Sequence, residues 1–145
     1  MMRTMTACLL GLGLAACQPG GGISVPGDSD DHSPYLGITP QETIRFTGTE
    51  PFWGGSVQGE RLVYSTPEKP DGTVLTVKRF AGRGGLSFSG ELGGKSFDLM
   101  VTARSCTDGM SDRTYPFTVA LMLGDALMQG CAWTDEERYT GPQTP

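Results

Sequence analysis

Histidine is almost absent from this sequence: His32 is the only one in 145 residues. A Ser-His-Asp hydrolase needs a histidine base within hydrogen-bond reach of its nucleophile, and a solitary histidine in a Gly/Pro-rich stretch does not offer one. Four cysteines and one histidine also supply little for a metal centre. Charged residues make only 19% of the chain and the formal net charge is −5, which disfavours a basic nucleic-acid binder. No stretch sustains a helical apolar stripe for three turns, so a coiled coil or long-helix protein is excluded. No apolar run is long enough to span a bilayer: the ten residues 7–16 (ACLLGLGLAA) reach about 15 Å as a helix, half the hydrocarbon thickness. Glycine and proline, by contrast, are plentiful, 32 residues of 145, just short of the range where low-complexity disorder is the default.

That short apolar run, preceded only by Arg3 as a charge, reads as the h-region of a signal peptide, residues 1–16. It ends in Leu14-Ala15-Ala16-Cys17, which resembles the lipobox of bacterial lipoproteins. The resemblance implies cleavage before Cys17, a diacylglycerol on its thiol and acylation of the new amino group. Two or three acyl chains anchor stably where one is marginal. The alternative is an ordinary secretory peptide with Cys17 unmodified. Gln18 stands where an inner-membrane retention signal often carries Asp, so by resemblance to enterobacterial sorting the protein is expected on the outer membrane, facing the periplasm. The mature chain then carries 10 basic and 16 acidic residues, a charge of −6.

Residues 17–40 hold the acylated Cys17, then three consecutive glycines, four prolines and no apolar periodicity, the composition of a flexible tether. The cluster Asp28-Ser29-Asp30-Asp31-His32 lacks the Gly turn and terminal Glu of a calcium loop. From residue 41 the pattern is β. Alternating runs begin at Thr43, Trp53, Glu60, Thr73, Leu86, Ser96, Phe117 and Ala126, separated mostly by tight Gly-rich turns. The expectation is an all-β domain over residues 41–140: a small antiparallel meander of about eight short strands, forming a closed barrel or a two-sheet sandwich. Residues 141–145 are expected as a disordered tail.

With Cys8 removed and Cys17 acylated, Cys106 and Cys131 remain, and an even pair in an exported domain most simply forms one disulfide. A redox site would favour a close C-x-x-C pair. The loop after Cys106, Thr107-Asp108-Gly109-Met110-Ser111-Asp112-Arg113-Thr114-Tyr115-Pro116, concentrates carboxylates and hydroxyls beside an arginine. Asp108, Ser111, Asp112 and Arg113 are therefore candidates for a ligand or partner loop, against the plainer reading of a capped polar turn. Asp108 and Asp112 could alternatively serve as an acid–base pair of a cell-wall hydrolase. Phe52 and Trp53 are candidate aromatic anchors, against the default of core filling. Gly82-Arg83-Gly84-Gly85 lacks the lysine and helix of a phosphate loop. The methionines at 100, 110, 122 and 128 sit mostly in strand patterns and read as packing rather than copper ligands. No cofactor motif is present, and no catalytic residue is assigned.

Gly48-Thr49-Glu50-Pro51-Phe52-Trp53, the segment from Cys106 to Asp112 with Tyr115-Pro116, and Gly130-Cys131 together resemble a family of uncharacterised bacterial lipoproteins or membrane proteins, over residues 44–133. The resemblance implies an envelope location and carries no enzymatic activity. A looser likeness, in architecture alone, is to small envelope lipoprotein domains: the c-type lysozyme inhibitors and the META/HslJ-like domains. The expected function is a non-catalytic binding or envelope-maintenance module. Its partners would be the membrane, through the lipid, and an envelope protein, a glycan or a lysozyme.

Overall fold

A computed structural model describes residues 33–142 of the chain. The expected signal peptide, the expected lipidation site Cys17 and most of the expected tether lie outside the described residues. The fold is all-β. Among the described residues nine strands follow one another: β1 (Ile44–Thr49), β2 (Phe52–Gln58), β3 (Arg61–Thr66), β4 (Lys69–Thr76), β5 (Lys78–Ala81), β6 (Gly85–Leu92), β7 (Lys95–Thr102), β8 (Phe117–Leu123) and β9 (Ala126–Thr134). They form one antiparallel sheet in the order β4-β3-β2-β1-β9-β8-β7-β6-β5. The first and last strands pair, Phe46 opposite Ala132, so the meander bends into a nearly closed barrel. Antiparallel alternation explains the core. Ile44 and Phe46, Leu62 and Tyr64, Leu86 and Phe88, Phe97, Leu99 and Val101, and Phe117, Val119 and Leu121 all point inward and are buried. Four phenylalanines, 46, 88, 97 and 117, fill the interior, each contributing about 1.5–3 kcal/mol of burial.

The expected single strand from Thr73 to Phe80 is two strands in the structure. At Val77 the chain changes partners: its N–H donates to the Glu60 carbonyl on the β3 side, and the next residue, Lys78, already pairs with Ser89 of β6. The two ends of the sheet order, β4 and β5, are thus joined covalently at one buried residue. Gly90 makes the approach possible, since a Cβ there would lie 2.9 Å from the Thr76 carbonyl oxygen and 3.0 Å from Val77 Cγ1.

Residues 33–40, expected as tether, belong to the folded unit. The Tyr35 N–H donates to the Gly82 carbonyl, Arg79 Nη2 donates to the Ile38 carbonyl at 2.7 Å, and Gln58 Nε2 donates to the Gln41 carbonyl. The segment crosses the barrel end at which β2 turns to β3 and β5 to β6, and Ile38, 2% exposed, joins the core. Of the expected tail, Pro142 is also held: its carbonyl accepts from Arg113 Nε at 2.7 Å.

Candidate functional site

The loop between β7 and β8 folds back along the outer wall. Cys106 pairs with Tyr115 through two backbone hydrogen bonds of 2.8 and 2.9 Å, and its sulfur is bonded to Cys131. Asp108 organises the turn between them. Its Oδ1 accepts from the backbone N–H groups of Met110 and Ser111, at 3.0 and 2.8 Å. Its Oδ2 accepts from the Ser111 hydroxyl at 2.7 Å and from the Tyr115 hydroxyl at 3.2 Å. Partial desolvation alone would raise the carboxyl pKa; these four donors outweigh it and lower it to about 2. An acid held this low carries no proton to give near neutral pH, which is the opposite of what a general acid requires.

Arg113 also turns inward. Its guanidinium lies 4.8 Å above the Tyr139 ring, a cation–π contact, while Thr114 pairs with Thr140. Tyr115, Trp133 and Tyr139 meet with ring centroids 5.3–5.5 Å apart. Trp133 alternates with the inward Ala132 and Thr134, so this aromatic cluster is a second small core on the outside of β9. Beside it, Arg45, Trp133, Asp135, Arg138 and Tyr139 line a depression of about 240 Å³, in which Arg45 and Asp135 form an ion pair. Asp108, Ser111 and Arg113 thus brace the loop, and Asp112 and Met110 are left exposed at its surface.

Phe52 and Trp53 part company. Trp53 is 4% exposed and packs within 5.8 Å of Phe46 and 6.4 Å of Tyr64; Tyr64 in turn meets Phe97 edge-on at 5.6 Å. The indole lies so close to Gly48 that a Cβ there would fall 2.0 Å from its Nε1, which has no hydrogen-bond partner among the described residues. Trp53 is therefore core. Phe52, the adjacent residue, faces the other way and is 57% exposed.

Phe52 borders a cleft of about 720 Å³ formed by the β1–β2 and β3–β4 turns, lined by Glu50, Pro51, Phe52, Tyr64, Pro67 and Glu68 among others. The Glu50–Pro51 peptide is cis. The β3–β4 register shifts between Tyr64 and Thr66, at the cleft wall. Burial, and then the charge of Glu68, push the Tyr64 hydroxyl pKa up. Glu68 is lowered by hydrogen bonds from its own backbone N–H and from the Thr66 hydroxyl. Among the described residues, no basic side chain lines the cleft.

By strand register, the cleft and the disulfide loop are at opposite ends of the barrel. Thr49, Phe52 and Thr66 lie at one end, and the loop leaves Thr102 and returns at Phe117 at the other. The two sequence-predicted sites do not converge. Tyr64, Pro67 and Glu68 join Phe52 only through cross-strand pairing, so sequence reading missed them, as it missed Trp133 and Tyr139. No family model matches the chain, and no curated protein or solved structure matches it. Among the described residues no group of three or more His, Cys, Asp or Glu could hold a metal ion.

Proposed function

We propose that this chain is a lipid-anchored, non-catalytic binding module of the Gram-negative envelope, carried on the outer membrane by Cys17 and facing the periplasm, and that it holds a protein partner in the cleft beside Phe52. The observation that carries the reading is the pairing of an exposed aromatic with an apolar cleft at the rim of a filled barrel. A barrel packed with phenylalanines leaves recognition to its surface, and an exposed Phe beside a cleft is the kind of anchor on which binding energy concentrates. The hydrolase alternative loses support from the low pKa of Asp108, whose carboxylate is committed to its own loop. Co-purification from solubilised envelopes tests the reading. The wild-type chain is expected to recover a stoichiometric partner, Phe52→Ala to lose it, and Cys17→Ser to leave the membrane fraction. Equal recovery with Phe52→Ala would show that the cleft is not the binding surface.

A further inference from the structure

The chemistry of the cleft narrows what it can hold. Its walls are apolar and aromatic, Pro51, Phe52, Pro67 and the buried Tyr64, while its two ionisable rim groups, Glu50 and Glu68, are both acids. They come from different turns, Glu50 from the one between β1 and β2 and Glu68 from the one between β3 and β4, and both line the same cleft. Hydrogen bonds from its own N–H and from Thr66 favour the ionised form of Glu68, and the hydroxyl of Tyr64 stays protonated. The mature chain as a whole has the same sign, with 16 acidic against 10 basic residues.

We infer that the cleft binds a basic segment of a partner protein, seating an arginine or lysine side chain between Glu50 and Glu68 with its stem, or the plane of a guanidinium, against Phe52. This rests on the binding reading above and specifies its occupant. Such side chains lay their methylenes on apolar surface while the charged head reaches a carboxylate. Arginine adds stacking on an aromatic face and a planar fork of donors. A cleft of about 720 Å³ exceeds one side chain, so apolar neighbours of the basic residue occupy the rest. The acidic domain would also speed encounter with a cationic partner, an effect that salt screens.

The test uses the full mature chain carrying Cys17→Ser, labelled with ¹⁵N, and three peptides of equal length: alternating Leu and Arg, alternating Leu and Ser, and alternating Leu and Glu. The Leu–Arg peptide is expected to move the amide resonances of Phe52, Tyr64, Thr66 and Glu68, with an affinity that falls as salt rises. The double substitution Glu50→Gln with Glu68→Gln should weaken it about fivefold. Phe52→Ala, at an exposed position that the fold does not need, should weaken it about tenfold. Equal binding of the Leu–Ser or Leu–Glu peptide at the cleft overturns the charge assignment and leaves the cleft as a binding surface. Shifts confined to residues outside the cleft, or none with any peptide, overturn the inference itself. The binding reading then stands or falls separately, on whether Phe52→Ala loses its partner from the envelope.

Discussion

At the scale of single residues, Asp108 shows how a motif that looks like a reactive site becomes a brace. Its two carboxylate oxygens satisfy two backbone N–H groups, a serine hydroxyl and a tyrosine hydroxyl within eight residues of chain. Because the folded pKa falls from the ordinary 3.8 to about 2, the ionised form stabilises the fold. That contribution is fully present above about pH 4 and disappears as the pH falls through 2. The shift alone corresponds to about 2 kcal/mol, and solvent screening at this half-exposed loop reduces it to about 1 kcal/mol. Asp108→Asn, which mimics the neutral acid, is therefore expected to be about 1 kcal/mol less stable than wild type at pH 7 and nearly equal to it at pH 2. Urea denaturation at both pH values measures the difference; a constant gap across that range would remove the charge from the explanation.

At the scale of elements, the cross-link and the loop it closes are one unit. Cys106 and Cys131 are 25 positions apart, and closing a loop of that length restricts the unfolded chain by about 3.5 kcal/mol in the chain-entropy treatment. Replacing both cysteines with alanine should cost up to that amount in chemical denaturation. It should also loosen the Tyr115, Trp133 and Tyr139 cluster, seen as a change in near-ultraviolet circular dichroism. The pairing was legible in the sequence because, with Cys8 read as part of a signal peptide and Cys17 as an acylation site, only two thiols are left to pair. The strands were legible where one face is buried, as in β7, where Phe97, Leu99 and Val101 alternate with exposed or half-exposed residues. The split of β4 from β5 was not, since Val77 fits either strand and its change of partner depends on where β3 and β6 lie in space. Phe52 and Trp53 were legible as an aromatic pair but not as one anchor and one core residue. Their opposite strand phase held that distinction: Trp53 shares a face with the buried Val57, and Phe52 does not. The cleft itself could not be read, because Tyr64 and Glu68 reach Phe52 only across the pairing of β2 with β3.

At the scale of the whole molecule, the two barrel ends are finished differently, and this sets where the domain begins. One end carries the Phe52 cleft. The other is crossed by residues 33–41, which contain prolines at 34 and 40 and read as linker because nothing in them alternates. Their attachment comes instead from tertiary contacts: Tyr35 to Gly82, Ile38 to Arg79, Gln41 to Gln58. Ile38 plugs the core with 2% of its surface exposed, and a small barrel cannot replace that volume without leaving a cavity. Ile38→Ala is accordingly expected to destabilise the protein by about 3 kcal/mol through lost burial and the void left behind. Leu36→Ala, two residues away and 81% exposed, should change stability by less than about 0.5 kcal/mol. If the segment were only a leash, both substitutions would be silent. A large loss at Ile38 alone, measured as unfolding midpoints in urea, makes residues 33–41 the closing piece of the barrel.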